Sequence, residues 1–268
     1  MVSFTQSSLA RRALAGIVAV TVTATATVAL TGSASSAEDP DPTPAPAVTA
    51  TLAASSVEVG EKIEVTATLA SGKSGQAMLL QRKTKKGWTK VVKGKSVDGV
   101  AEFAVTATKA GKARYRVLVP ATKKTDKAVS DRLLGEIYRW RYLADMEWQE
   151  EGDWKTGVVT LAGKRYPESV FATNDFWGDM EVNLAGKCTT LRGTAGLSDA
   201  SKTGSVGGLT VYRDGAEAYY SEVTLAEAKD VSLPIDGTLR IGLRATKVDG
   251  PSGFPNVALG NAAVYCRS

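Results

Sequence analysis

Histidine is absent from the 268-residue sequence, and cysteine occurs only twice. Without histidine, the chain cannot form a Ser-His-Asp or Cys-His catalytic group. Two cysteines alone also fall short of the four ligands of a structural zinc site. We therefore expect a protein without a metal site and without a cofactor, although the sequence leaves calcium binding open.

Long apolar runs are also scarce, and the only one of membrane-spanning length, residues 13–30, lies near the N-terminus. It follows Arg11 and Arg12 and precedes a run of small residues, which is the order typical of a secretory signal. An uncleaved anchor is the alternative, but the run is rich in Ala and Thr and only weakly apolar. We expect a signal peptide over residues 1–37 with cleavage near Ala37, no membrane span in the mature chain, and a secreted or cell-surface protein.

The two cysteines, Cys188 and Cys266, stand in a chain that we expect to be exported, where disulfides form and persist. We therefore predict a disulfide between them. Closing so long a loop stabilises a fold by about 4 kcal/mol, through the lower chain entropy of the unfolded state.

The region from 47 to 130 follows a Pro-rich linker at 38–46 and has the pattern of an all-β domain. Apolar and polar residues alternate in VEVGEKIEVTATL, as in half-buried strands, and Asp98-Gly99 is a strong turn signal. Six or seven short strands at this spacing predict a β-sandwich of immunoglobulin size. Together with MLLQRKTKKGWTKV and GVAEFAVTATKAGKARYRV, the first stretch resembles bacterial immunoglobulin-like modules of secreted actinobacterial proteins, a resemblance that implies a fold and almost nothing about function.

Residues 131–157 are less regular, and we interpret them as a connector. Their three tryptophans, Trp140, Trp148 and Trp154, are expected to pack in the core or between domains rather than to form a ligand platform. From 158 to 268, nine further strand candidates are separated by Gly and Asp-Gly turns. The mature chain is therefore predicted to be all-β, with two β-sandwich domains.

Charge is divided unevenly between these domains. Residues 47–130 carry 16 basic and 6 acidic side chains, whereas residues 131–268 carry 15 basic and 19 acidic ones. The basic side chains of the first domain are concentrated at Arg82, Lys83, Lys85, Lys86, Lys90, Lys93 and Lys95. Such a cluster on an exported protein can attract an anionic wall polymer or lipid head groups, and the alternative is a solvated face that keeps the protein soluble. Nucleic acid is not expected as a partner of a secreted chain.

Paired carboxylates are the remaining route to catalysis, because a glycosidase needs two of them facing each other across a cleft. The candidates in the second domain are Asp175, Asp179, Glu181, Asp199 and Asp214. No spacing sets two of them face to face, so we interpret them as surface and turn residues and expect no enzyme. Asp214-Gly215 in particular is a hairpin signal, because a type I′ turn needs the positive φ that Asp and Gly tolerate.

Eight stretches of the second domain, in order, resemble the novel putative carbohydrate-binding module family. They are LAGKRY (161–166), SVFAT (169–173), VNLAGKCTTL (182–191), AGLSD (195–199), VYRDG (211–215), VSLPIDG (231–237), TLRIGLRA (238–245) and GNAAV (260–264). The resemblance implies a galactose-binding-like jelly roll over about residues 141–268, and carbohydrate binding as its function. Leu259 stands where the family has a Trp before the closing Gly.

Sugar recognition needs an aromatic face for the sugar ring and polar side chains at its rim. Asn174, Asp175 and Trp177 offer both in one loop, and Tyr219 with Tyr220 is a second aromatic candidate, although alternation turns one of these two rings inward. We predict Asn174, Asp175 and Trp177 as the carbohydrate-binding residues. A Trp177 buried in the core is the alternative. We expect a secreted, non-catalytic protein that binds a polysaccharide or cell-wall glycan through residues 158–268. The alternatives are a structural or partner-binding surface protein with no sugar site, and an accessory or remnant of a glycoside hydrolase.

Overall fold

The computed structural model covers most of the chain beyond the linker. It describes residues 47–123, 125–151, 153–173 and 177–268, except for the side chains of Glu150 and Trp177. The predicted signal peptide and linker lie outside the described residues, as do Asn174 and Asp175. By the proximity of Cα atoms, the chain divides into two units, Met1–Asp41 and Pro42–Ser268, and every described residue belongs to the second.

The all-β prediction is confirmed. The described residues form nineteen β-strands and one turn of 3-10 helix, Leu143–Asp145, and none of them lies in an α-helix. Within these ranges, no helix has the length and apolar character that a membrane crossing requires.

Nine strands build the N-terminal sandwich. They are β1 (Val48–Leu52), β2 (Ser56–Glu58), β3 (Lys62–Leu69), β4 (Ala77–Thr84), β5 (Gly87–Lys95), β6 (Val100–Thr106), β7 (Gly111–Val119), β8 (Ala128–Val129) and β9 (Leu133–Tyr142). One sheet has the order β1-β3-β6, and the facing sheet has the order β5-β4-β7-β9, with β2 parallel to β9 and β8 paired with β7. The prediction that this sandwich is immunoglobulin-like stays a prediction.

Alternation of buried and exposed residues along the strands explains how the two sheets pack against each other. In β3, every second residue is buried, beginning with Ile63 and ending with Leu69. They pack in one cluster with Leu80 of β4 and Tyr115 of β7. Burying an aliphatic side chain of this size contributes about 1.5–3 kcal/mol, so this face fixes the register of the strands.

Ten further strands follow. They are β10 (Trp148–Glu151), β11 (Trp154–Leu161), β12 (Lys164–Ala172), β13 (Trp177–Asn183), β14 (Cys188–Leu197), β15 (Val206–Arg213), β16 (Ala216–Thr224), β17 (Ala228–Pro234), β18 (Arg240–Asp249) and β19 (Val257–Cys266). One five-stranded sheet has the order β10-β13-β18-β15-β16. It packs on a second sheet in which β19 pairs with β14 along one edge and with β12 and β9 along the other, while β17 extends β14 and β11 extends β12.

Strand β9 belongs to both halves of the molecule. Its first residues, Leu133 to Ile137, pair with β7, and its last residues, Arg139 to Tyr142, pair with β19. The segment 131–157, interpreted from the sequence as a connector, therefore contains β9, the 3-10 helix, β10 and the start of β11. The sequence pattern did not predict these strands, because β9 pairs first with β7 and then with β19, so its burial pattern changes in mid-strand.

The predicted disulfide between Cys188 and Cys266 is confirmed. The two residues are direct partners in the pairing of β14 with β19, and they are separated by 78 positions in the chain. The bond therefore joins the last strand to the body of the second sandwich, where both cysteines are buried in the core.

Candidate functional site

The outer surface of the sheet β10-β13-β18-β15-β16 carries polar and aromatic side chains together. Residues such as Met180, Leu209 and Leu243 point into the core, and because successive side chains alternate, their neighbours point outward. We refer to this outer surface as the sheet face. Its central residues are Asp179 and Glu181 of β13, Gly242, Arg244 and Thr246 of β18, Gly208 and Tyr212 of β15, and Tyr220 of β16.

Two glycines lie on the sheet face, and only one of them leaves open space above it. A Cβ atom at Gly208 would stand 2.6 Å from the Thr246 hydroxyl and 3.1 Å from the Tyr220 ring. A Cβ atom at Gly242 would stand 3.4 Å from Tyr212, which is ordinary contact. The space over Gly208 is therefore filled by Thr246 and Tyr220, whereas Gly242 leaves a recess beside Tyr212 where a ligand could approach the backbone of the sheet.

Arg244 is fixed in the middle of the sheet face. Its Nε donates to Asp179 Oδ1 at 2.7 Å and its Nη2 donates to Asp179 Oδ2 at 2.6 Å. Its Nη1 also donates to the Tyr212 hydroxyl at 3.3 Å, and its guanidinium carbon lies 5.2 Å from the centre of that ring. The hydrogen bonds from Arg244 to Asp179 are the main cause of the raised pKa of the guanidinium. This two-bond pairing holds both side chains in one orientation.

Tyr220 presents an exposed aromatic ring on the sheet face, with 47% of its surface accessible. Its hydroxyl donates to Glu222 Oε1 at 3.4 Å. Partial burial, followed by the nearby Glu222 carboxylate, raises the pKa of Tyr220 above 10.0. The hydroxyl therefore keeps its proton at neutral pH and remains a hydrogen-bond donor beside an open ring surface.

Two hollows adjoin on this surface. One, of about 150 Å³, is lined by residues that include Asp179, Tyr212, Gly242 and Arg244. A larger cleft, of about 400 Å³, is lined by Glu147, Trp148, Gln149, Glu181, Asn183 and Arg240. Glu181 lines both, and its carboxylate lies 3.6 Å from Arg240. The site thus offers rings, paired charges and backbone over a shallow, open area.

Of the predicted binding residues, only the backbone of Trp177 is described. Its Cα pairs with that of Thr246, which in turn pairs with Gly208. The start of β13 therefore lies at the end of the sheet face nearest Tyr220. The assignment of Asn174, Asp175 and Trp177 as binding residues stays a prediction.

Among the other members of the sheet face, the sequence singled out Asp179, Glu181 and Tyr220 without placing them together, and it did not single out Arg244 or Thr246. Tyr212 was noted only as part of the VYRDG stretch, and Arg244 only as part of a strand. The available signal was the alternation in RIGLRAT, which places Gly242, Arg244 and Thr246 on one side of β18. What the sequence did not show was that Asp179 and Tyr212 come from the strands on either side of it.

The described carboxylates that were weighed as catalytic candidates have structural partners. Asp214 accepts hydrogen bonds from the backbone N–H groups of Leu239 and Arg240. Asp199 accepts one from the N–H of Gly163. Within the described ranges, no group of three or more His, Cys, Asp or Glu residues is arranged to hold a metal ion.

Residues 142–264 match the family model of the NPCBM/NEW2 domain. The predicted resemblance of the second domain is therefore confirmed over this range, which is a little under half of the chain. Leu259, which replaces the family's Trp, is completely buried among core residues. In this chain, that position contributes to packing. No curated protein matches the sequence.

Three solved structures illustrate the similarity. The CBM51 of Clostridium perfringens GH95, in complex with methyl-galactose, has a TM-score of 0.41 and 18% identity, covering 47% of this chain and 99% of that one. The CBM51-2 and INT domains of Clostridium perfringens ZmpB, in complex with GlcNAc, give 0.41 and 12%, covering 81% of this chain and 48% of that one. The CBM22-1 xylan-binding domain of Paenibacillus barcinonensis Xyn10C gives 0.31 and 14%, covering 48% and 94%.

Proposed function

We propose that this protein is a non-catalytic glycan-binding protein, and that it binds sugar on the sheet face. The observation that carries the proposal is the recess that Gly242 leaves beside Tyr212, where Asp179 fixes Arg244. The exposed ring of Tyr220 lies on the same face of the sheet. An open tyrosine ring can cover the CH-rich face of a sugar ring, while guanidinium, carboxylate and hydroxyl groups reach its hydroxyls. The match of residues 142–264 to the NPCBM/NEW2 family supports the same function.

The charges of the sheet face favour a neutral glycan. Arg244 is paired with Asp179, and Arg240 lies 3.6 Å from Glu181, so each central cation has a carboxylate beside it. A uronate or sulfated sugar would gain little net attraction here, since its charge would face both members of each pair. The hydroxyl groups of a neutral sugar, in contrast, can hydrogen-bond to the remaining carboxylate lone pairs and guanidinium N–H groups, and no buried charge is left unpaired.

We propose no catalytic role for the carboxylates of this domain, because the described ones among the candidates already have partners. Both oxygens of Asp179 are occupied by Arg244, and Asp214 is bound to backbone N–H groups. Export through the predicted signal peptide, and a cell-wall or environmental polysaccharide as the ligand, belong to the same proposal.

A glycan array tests the function, followed by affinity measurements on the best neutral ligand. We expect binding by the mature chain. Tyr220→Ala should weaken it about tenfold, or about 1.4 kcal/mol, by removing the stacking surface. Gly242→Ala should weaken it similarly by filling the recess, since the added methyl group makes only ordinary contact with Tyr212 and leaves the fold intact. Trp177→Ala tests the residue predicted from the sequence.

The matched control is Tyr142→Ala, because Tyr142 is 36% exposed but belongs to β9, away from the sheet face. It should leave the affinity unchanged. Circular dichroism and thermal melts verify that each variant is folded. Absence of any bound glycan would refute the function, whereas unchanged affinity in both Tyr220→Ala and Gly242→Ala would refute the site.

A further inference from the structure

A second polar surface lies on the N-terminal sandwich, on the outer side of the sheet β5-β4-β7-β9. Leu80, Tyr115 and Val117 point to the core from this sheet, so the residues that alternate with them point outward. The outward basic residues, which we call the cationic face, are Lys83 of β4, Lys90, Lys93 and Lys95 of β5, and Lys112, Arg114 and Arg116 of β7. Three strands thus contribute positive charge to one side of one sheet.

Most of these charges have no carboxylate beside them. Lys112 is 3.8 Å from Glu136, but across the described part of the chain no Asp or Glu oxygen lies within 4 Å of Lys90, Lys93 or Lys95. All three side chains are exposed. Like charges held this close repel each other, and an arriving polyanion would relieve that repulsion while releasing its counterions.

The ring of Trp88, which lies on the same side of the sheet as the cationic face, already contacts two cations. Arg116 lies with its guanidinium carbon 4.3 Å from the centre of the Trp88 ring, and the Lys83 ammonium lies 5.7 Å from it. Arg116 is also held in place, because its Nε donates to Gln81 Oε1 at 2.8 Å. Bases and sugar rings bind such surfaces by stacking on free aromatic rings. A ring covered by two cations instead leaves a surface suited to a charged chain without rings.

We propose that the cationic face binds a linear phosphodiester polymer whose repeats are short alkyl alcohols, such as poly(glycerol phosphate). Lysine ammonium groups suit single phosphate charges, since each is a compact point charge with three donors. The lysines two apart along β5 lie about 6.7 Å from one another, and neighbouring strands are about 4.8 Å apart. A flexible chain of phosphates can contact several of these cations at once. The inference does not depend on sugar binding at the sheet face.

Binding of the mature chain to poly(glycerol phosphate) over a series of NaCl concentrations tests the proposal. We expect the dissociation constant to rise steeply with salt. The triple variant Lys90→Gln, Lys93→Gln and Lys95→Gln should weaken binding at least about tenfold at low salt and lower the salt slope by about 2. The control is Lys62→Gln, Lys73→Gln and Lys109→Gln, which removes the same charge from exposed lysines outside this sheet and should keep most of the affinity.

Three competitors define the ligand class: single-stranded DNA, polygalacturonate and vesicles that contain an anionic phospholipid. We expect each to bind more weakly than poly(glycerol phosphate) at equal charge concentration. Equal or tighter binding of any of them would overturn the assigned class. Equal losses in the two triple variants would show that net charge alone attracts the polymer and would overturn the assigned surface.

Discussion

Asp214 shows how one carboxylate can be assigned to structure rather than to chemistry. It occupies a φ of 49° beside Gly215 at 84°, which fits the turn expected of an Asp-Gly hairpin. Its Oδ1 accepts hydrogen bonds from the N–H groups of Leu239 at 3.0 Å and Arg240 at 2.8 Å. Asp214 therefore forms the turn of its hairpin through its backbone and, through its side chain, holds the start of β18, the strand that carries Arg244.

Asp214→Ala should lower the free energy of unfolding by about 1–2 kcal/mol, since two backbone N–H groups lose their acceptor and alanine tolerates positive φ poorly. Asp214→Asn should cost less, because its amide oxygen can still accept and asparagine tolerates this conformation. Urea denaturation measures both. A loss for Asn as large as that for Ala would contradict this account of the side chain.

The sequence predicted only some of the residues that form the site. Trp177 could be singled out because Asn and Asp precede it in the chain. Arg244 is 65 positions from Asp179 and 32 from Tyr212 in the chain. The contact among the three depends on the order of the strands in the sheet. Alternation predicts which side of a strand a residue occupies, but it does not predict which strands become neighbours.

At the scale of elements, β9 determines how the two sandwiches are joined. Near its middle, Glu136 accepts a hydrogen bond from the Tyr138 hydroxyl at 2.8 Å and contacts Arg267 and Lys112. Just beyond, the Trp140 ring contacts Tyr265, with ring centres 5.0 Å apart, and Arg192, whose guanidinium carbon lies 3.7 Å from the centre of the Trp140 ring. These contacts connect β9 to β7, to β14 and to the last residues of the chain.

Glu136 should make this junction sensitive to acid. The Tyr138 hydrogen bond is the main cause of its lowered pKa, and the nearby Arg267 and Lys112 act in the same direction. Because the folded-state pKa is below 4.5, the ionised carboxylate stabilises the fold above about pH 4.5, and this contribution is lost as the pH falls through the folded-state value.

The difference in free energy of unfolding between the wild-type chain and Glu136→Gln should therefore be largest near neutral pH and shrink on acidification. Urea denaturation across the pH range measures it, with Glu102→Gln, an exposed glutamate of β6, as the control. A difference that grows at low pH would contradict the assigned role of the carboxylate.

Across the whole molecule, the sequence predicted the all-β class, the disulfide, and the resemblance that the family match confirms. Alternation and Asp-Gly turns are local signals, so they can be recognised in the sequence without knowledge of the fold. The continuous strand through residues 133–142 was missed, because its two halves satisfy different sheets and no single period describes both. The result is one compact unit with the sheet face on one sandwich and the cationic face on the other.

The central claim is that a neutral glycan binds at the sheet face. Titration of the isotope-labelled protein with the best neutral glycan, followed by amide NMR shifts, tests it most directly. We expect the largest shifts at Tyr212, Gly242 and Arg244, which line the recess, and little change in the N-terminal sandwich. Shifts concentrated away from these residues at saturating glycan would contradict the account.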